Sequence, residues 1–474
     1  MTASTKMRAH VTGAVLAALG LRTYFVWRFS FYDAGDTPIY QQLAHNWLKH
    51  GIYGLDILGH VTAVDMRTPG YPAFLAVIYT VFGESARAVM FAQAFVDVLT
   101  CVLVAAMAAV LAPQESRGRV ALAALWLAAL CPFTANYTAV VLTETLTIFL
   151  SALALLVLME ALRGLRWREE VVSPGAMSPN MCWLMGGIVV GFGTLVRPET
   201  PLILAAAGAV VVGCCWRPKD WKKLVRAGLL MAVGLAVPLM PWATRNWRTL
   251  HTVQFLSPRY SELPGEFTPR GFYAWTGTWL WRFGDVFLVP WNLNGAQISI
   301  DDVRASAFDS PRERERVAKL LGEYNETTEM TPQLDRGFEE IARERTARDP
   351  LRTYVRVPFL RAMAMWFTPR IEMLPLSGHL WPVHYWWENS EPEYCVSLGL
   401  FLLGIAYAGM ALAGTWRVRK DPAALLLVAY IVIRTAFLTT IETPEPRYVL
   451  ECFPAVFALA AQLWMRKGGW RADS

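Results

Sequence analysis

Apolar runs alternate with short polar connectors along most of the chain, and the runs carry few charges. Ten of them, at 11–28, 87–111, 120–131, 138–160, 182–196, 201–215, 228–243, 394–414, 423–441 and 448–465, read as helices in lipid. A crossing takes about 20 residues, so the third, fifth and sixth are short and read as thin, tilted or re-entrant. The pattern predicts an all-α polytopic membrane protein, a bundle of about ten transmembrane helices. Residues 1–28 begin with Lys6 and Arg8 before an apolar run, like a signal peptide. No small-residue cleavage site follows, so the run is taken as the first span.

Two segments are too long and too polar to be connectors. In residues 29–86, Tyr40, Leu43, Ala44, Trp47 and Leu48 keep the i, i+3, i+4, i+7, i+8 spacing of a helix lying on a surface. A second, mostly apolar stretch, Tyr71 to Phe82, ends at Gly83 as a cap. Residues 244–393 mix charges and hold three helix starts with proline next to a capping residue, at Ser310-Pro311, Thr331-Pro332 and Asp349-Pro350. The expected organisation is a bundle over 1–243 carrying the first outer loop 29–86. An extracytoplasmic and interfacial helical segment follows over 244–393, then C-terminal transmembrane helices and a tail over 394–474.

Composition agrees. The 474 residues are 55% hydrophobic and 17% charged, where a soluble chain has roughly a quarter charged. This excludes a disordered chain and a small disulfide-stapled domain. The net charge of +6 suggests nucleic acid only until the basic residues are located. Eighteen of them, among them Arg117, Arg163, Lys222, Lys223, Arg417 and Lys467, fall in connectors of one side. The other side's short loops hold Lys49, Arg67, Arg197 and Arg447. The positive-inside rule therefore puts both termini in the cytoplasm of a plasma (inner) membrane protein, and no nucleic-acid partner is expected. The twenty tryptophans are expected mainly at the two interfaces. The seven cysteines show no metal spacing and read as small core residues.

The polar residues of the outer side are the candidate chemistry. Asp36, in Asp33-Ala34-Gly35-Asp36-Thr37-Pro38, reads first as a helix N-cap. The same carboxylate also stands at the membrane–water boundary, where it could meet an acceptor. Glu144 lies near the outer end of a span, where a carboxylate must face a polar cavity or the headgroups. Arg197-Pro198-Glu199 is a tight connector with an adjacent ion pair, Thr244-Arg245-Asn246 follows a span, and Arg447-Tyr448 closes Glu442 to Pro446. Each arginine alone reads as an interface anchor. Together, Arg67, Arg197, Arg245 and Arg447 suit a phosphate held at a lipid boundary, because a guanidinium donates in a bidentate fork. Asp97 and Arg434 lie inside spans, either lining a substrate path or forming a stabilising pair. His379 and His384 are five apart in an aromatic stretch and read as part of an interfacial belt, with no metal site.

Asp36 to Tyr40, Arg67-Thr68-Pro69-Gly70-Tyr71-Pro72, Thr143-Glu144, Leu195-Val196-Arg197-Pro198-Glu199, Pro241-Trp242 with Arg245-Asn246, and Glu445-Pro446-Arg447-Tyr448 occur in this order. In that order they resemble the GT-C superfamily of integral-membrane glycosyltransferases, near the protein-mannosyltransferase and lipid A aminoarabinose-transferase branch. The resemblance runs over about residues 10–465. It implies a GT-C-like bundle and an enzyme that moves a sugar from a polyprenyl-phosphate donor to an acceptor hydroxyl on a lipid, glycan or protein at the outer face. It implies Asp36 as general base, with Asp33, Tyr40, Arg67, Glu144, Arg197 and Glu199 around the substrates. Arg245, Arg447 and Tyr448 would meet the lipid phosphate. That branch carries Asp-Glu in the first loop; here Thr37 follows Asp36, and Asp33 stands as the rival carboxylate.

No nucleotide-binding or cofactor motif is present, and a divalent metal is neither required nor excluded by the sequence. Two other classes stay open. A transporter or flippase would use the intramembrane charges Asp97 and Arg434, although no repeat relates the two halves. A lipid-linked glycan polymerase or ligase would centre its chemistry in 244–393 and be indifferent to Asp36.

Overall fold

The computed structural model describes residues 3–30, 34–166, 177–214, 221–258, 260 and 267–466. The chain divides into two compact units, one made of Met1–Arg259, Pro369–Ile433 and Leu450–Ser474, the other of Tyr260–Thr368 and Arg434–Val449.

The first unit opens with α1 (Ala3–Arg28), α2 (Thr37–His50) and α3 (Gly70–Phe82). Then come α4 (Ala86–Leu111), α5 (Arg117–Ala129), α6 (Pro132–Asn136), α7 (Glu144–Arg166), α8 (Pro179–Val196), α9 (Leu202–Cys214) and α10 (Trp221–Leu250). The two amphipathic stretches of the first loop are α2 and α3, and Gly83 caps α3 with a positive φ of 71°. The chain between α2 and α3 forms an antiparallel hairpin, β1 (Gly54–Ile57) with β2 (His60–Ala63), that the sequence reading lacked. Its two-residue turn places Leu58 and Gly59 at φ 51° and 83°. Two residues with positive φ match the twist of flanking strands, but leucine is a rare occupant of such a position, so the usual turn signal was missing.

Among the described residues, six helices are long and apolar enough to cross a membrane. They are Thr5–Arg28, Ala86–Leu111, Glu144–Gly164, Pro179–Val196, Trp221–Leu250 and Val383–Val418. A bent pair, Arg117–Ala129 with Pro132–Ala139 at 47°, makes a seventh if counted as one span. The expected ten are not reached on this measure. The α9 helix has 13 residues, about 20 Å at 1.5 Å per residue, against a hydrocarbon core of about 30 Å. The expected span 138–160 starts later, because Tyr137–Ala139 is a tight helical turn and α7 begins at Glu144.

Helices α8 and α10 meet through glycines. A Cβ on Gly234 would lie 2.3 Å from the Leu184 carbonyl oxygen, and one on Gly187 would lie 2.4 Å from that of Met231. Small residues let helix backbones approach in this way in lipid. Gly234→Leu is therefore expected to destabilise by roughly 1–3 kcal/mol, read as a lower thermal midpoint in detergent. Gly228→Leu on the same helix, where nothing lies within 4 Å of the added carbon, should be near neutral.

One buried ion pair fastens the N-terminal helices. Arg22 of α1 holds Asp97 of α4 at 2.7 Å, and both are almost fully buried. Its guanidinium also donates to the Ala128 carbonyl at 3.1 Å and to that of Ala129, the last carbonyls of α5 before the chain breaks at Pro132.

The second unit contains α11 (Arg270–Gly277), α12 (Phe283–Leu288), α13 (Pro311–Thr327), α14 (Pro332–Arg348) and α15 (Val357–Trp366). All three expected caps form. Ser310 Oγ accepts from the Glu313 N–H, Thr331 Oγ1 from Leu334 and Asp349 Oδ1 from Arg352. Phe272, Trp275, Trp279 and Phe338 build its core. Tryptophan is thus not confined to the membrane interfaces: Trp275 and Trp279 here, and Trp183 in the first unit, are core fillers. Fully buried Arg345 joins Thr278 at 2.8 Å, Asp309 at 3.1 Å and Glu313, knitting α14 to the start of α13.

The chain returns to the first unit with α16 (Val383–Val418), which kinks at Ser390 just before Pro392. The expected span 394–414 is the part beyond that kink. Then come α17 (Pro422–Leu438) and α18 (Phe453–Ala460).

Candidate active site

The first loop supplies the head of the site. Asp36 stands at the N-terminus of α2 but makes no capping bond through its side chain. The end of the helix is fixed instead by Thr37, whose hydroxyl donates to the carbonyls of Ala34 at 2.8 Å and Val141 at 2.9 Å. The capping interpretation of the Asp36 carboxylate is therefore set aside. Its Oδ1 pairs with Arg67 Nη2 at 2.9 Å, with 38% of the Asp36 side chain exposed. Burial, the largest single influence, pulls the Arg67 guanidinium down, but the charge and hydrogen bond of Asp36 together with Tyr40 and Tyr53 hold the group above its ordinary value.

Arg67 is held from behind. Tyr53 donates its hydroxyl to the Arg67 carbonyl at 2.9 Å and to that of Thr68 at 3.2 Å. Gly70 packs so closely on the end of α8 that a Cβ there would lie 2.6 Å from the Leu195 carbonyl. This explains the Thr68-Pro69-Gly70 sequence: the loop carrying Arg67 lies flush against the helix that ends at Arg197.

Tyr40, one turn into α2, is buried and meets Tyr71 edge to face at 5.1 Å. Burial, reinforced by the Asp36 charge, pushes its phenol up to about 12 against the opposing pull of Arg67 and Arg197. Tyr40 is thus a hydrogen-bond donor at neutral pH.

Arg197, at the C-terminus of α8, gathers the carboxylates. It reaches Glu144 at 3.2 Å, Glu451 at 3.1 Å and Glu199 at 3.6 Å, and its Nε donates to Thr143 Oγ1 at 3.0 Å. Glu144 opens α7, where a carboxylate also suits the positive end of the helix. The sequence reading missed Glu451. Its only signal was a glutamate within an expected apolar span, three residues after Tyr448.

Arg245, near the end of α10, ties that helix to the hairpin region. It donates to the carbonyls of Tyr53 at 2.6 Å and Val64 at 2.9 Å, and it lies over the rings of Tyr53 and Trp242. It also lines a groove of about 600 Å³ with Val237, Met240, Pro241, Thr244, Arg248 and Thr249. The groove runs along one helix from apolar to basic residues. Arg248, at i+3 from Arg245, was not singled out in the sequence.

Arg447 and Tyr448 belong to the second unit. Glu445 receives Arg447 Nε at 2.7 Å and the Tyr448 hydroxyl, and the Tyr448 carbonyl accepts two bonds from buried Arg434 at 3.2 Å. The two intramembrane charges are therefore engaged separately, Asp97 by Arg22 and Arg434 by the Tyr448 backbone. His379 stacks on Trp386 with centroids 4.7 Å apart. Asp33 lies outside the described residues.

No protein-family profile and no curated protein sequence matches the chain. Among solved structures it is similar to two membrane transferases. The first is the oligosaccharyltransferase AglB of Archaeoglobus fulgidus, in complex with an inhibitory peptide and a dolichol-phosphate. It is 15% identical over 98% of this chain, with a TM-score of 0.49. The second is ArnT of Cupriavidus metallidurans in the apo state, 13% identical over 97% of this chain and 78% of its own length, with a TM-score of 0.43. ArnT bound to undecaprenyl phosphate is 12% identical, with a TM-score of 0.39. The chain spans about half the length of AglB, 50%.

Proposed function

We propose that this protein is a GT-C-type glycosyltransferase that moves a sugar from a polyprenyl-phosphate donor to an acceptor hydroxyl at the outer face of the plasma (inner) membrane. The observation that carries this is the Asp36–Arg67 pair, a half-exposed carboxylate relieved of capping and oriented by a guanidinium. Arg67 engages Oδ1, and Oδ2 receives the acceptor proton. The acceptor oxygen bonds the anomeric carbon as the bond from that carbon to the phosphate oxygen breaks, and the electron pair leaves with the lipid phosphate. A positioned base typically contributes 10²–10⁴-fold to such a step.

The other candidates serve the same exchange. Tyr40 and Glu199 contact the sugar beside Asp36. Arg197 and Glu144 fix the wall behind it, with Glu451 as a third carboxylate in that wall. Arg245 and Arg248 close the groove on α10 at its basic end, where a phosphate on an apolar tail would be held. For Arg447 and Tyr448, which belong to the second unit, the sequence motif alone carries the assignment to the lipid phosphate, where a fork would stabilise charge that grows as the bond breaks.

The direct test incubates the purified protein in lipid with a panel of labelled polyprenyl-phosphate sugars and follows release of the lipid phosphate. Release with at least one donor is expected. Arg447→Lys keeps the charge but loses the fork, so donor affinity should fall about tenfold in the same assay. Wild-type affinity in Arg245→Lys and Arg447→Lys alike would make both arginines interface anchors.

A further inference from the structure

We infer that residues 350–367 of the second unit dock on the lipid surface as an interfacial helix. The segment is helical from residue 350 to 366, with one wide turn at Arg352–Arg356 leading into α15, and Phe367 follows as its cap. Leu351, Val355, Phe359, Met363 and Phe367 recur every four residues, and each is 37–68% exposed. Tyr354 beside them is 72% exposed. The opposite face is committed to the unit: Val357, Arg361 and Met365 are buried. Arg361 donates to the carbonyls of Leu280 at 2.8 Å and of Thr439 and Ile441 at 3.0 Å. The helix therefore cannot roll to hide its apolar row.

Charge and size select the occupant. No aspartate or glutamate occurs between Asp349 and Glu372; Arg352 is committed to Asp309 and the Arg345 carbonyl, which leaves Arg356 as the basic residue beside the row. Arg356 is largely exposed, with only a 3.9 Å contact to Asp349. An exposed arginine beside an apolar row that carries no acid suits anionic headgroups above acyl chains. Five such side chains present on the order of 500 Å², short of the roughly 800 Å² per partner of a stable protein interface. A second copy of the chain is thus the poorer fit. A bilayer is always at hand for a chain with six helices of crossing length.

The test places a nitroxide at Val355→Cys, Phe359→Cys or Met363→Cys in full-length protein whose Cys214, Cys215 and Cys395 are serine. Glu340→Cys, on the exposed side of α14, is the aqueous control. In nanodiscs of phosphatidylcholine and phosphatidylglycerol, collisions with oxygen should exceed those with a water-soluble nickel chelate at the three row positions. The order should reverse at 340, and nickel collisions at 359 should be several-fold lower than there. Nickel access at 359 equal to that at 340 would overturn the proposal, because the row would then face water. Exclusion of both probes with a concentration-dependent, immobilised spectrum would overturn it too, assigning the row to a second copy.

Discussion

Asp36→Asn is expected to lower sugar transfer by roughly 10²–10⁴-fold while the protein folds as before. The two halves of that expectation rest on separate observations. The amide has no basic lone pair near neutral pH, so it cannot accept the acceptor's proton. The fold should barely respond, because the Asp36 side chain makes no capping bond and Thr37 holds the end of α2. The pair with Arg67 is more than a third exposed at the carboxylate, and such pairs contribute about 0–1 kcal/mol. Three readouts belong together: turnover, thermal midpoint and donor binding. A collapse of turnover alone supports the base. Turnover within a few-fold of wild type would move the chemistry elsewhere, and a ligase-like centre in 244–393 would become the better account. Asp33→Asn should be the milder change; were it the more damaging, the two carboxylates would exchange roles.

Arg197→Met should be the most destabilising single change at the site. It removes the cation that bridges Glu144, Glu451 and Glu199, the first two of which have almost no exposed surface. Removing one partner from a buried ion pair typically costs about 3–5 kcal/mol, and here one guanidinium serves Glu144 of α7, Glu199 beyond α8 and Glu451 at once. Arg197→Lys should fall between the two, since an ammonium is a single point charge and cannot reproduce the fork. Unfolding of the purified variants by heat, with aggregation and tryptophan emission followed together, measures the order. A Met variant as stable as wild type would show that the carboxylates are held by other contacts and that Arg197 is dispensable to the fold.

The sequence made the helices legible where the apolar period was long, as in α4 and α8, and where a cap was chemical, as at Ser310 and Thr331. It also named most of the first-unit residues that come together, because they sit at or near the ends of helices and in the short connectors between them. Three things escaped it for physical reasons. Glu451 is 254 residues from Arg197, and no local pattern encodes a contact of that range. The hairpin turns on Leu58, a residue that tolerates positive φ poorly, so the usual Asn-Gly or Asp-Gly signal was absent. Asp36 looked like a cap because Asp before Thr-Pro normally is one, but its side chain accepts no helix N–H and pairs with Arg67 instead. The intramembrane charges Asp97 and Arg434 were seen, but not their partners: Asp97 answers Arg22 of the first span, and Arg434 the Tyr448 carbonyl.

That pairing bears on how the chain is made. A lone arginine in a lipid-embedded helix costs up to roughly 2.5–3.5 kcal/mol, the value at the helix centre, and the partner of Arg22, Asp97, comes 75 residues later. At the usual pace of synthesis, about 5–20 residues per second, the first helix waits several seconds for that partner to emerge. It must wait longer still for the end of α5, whose free carbonyls Arg22 also takes. During that interval the helix is best sheltered within the insertion machinery. On this reasoning α1, α4 and α5 are expected to enter the bilayer together once α5 has emerged, not one by one.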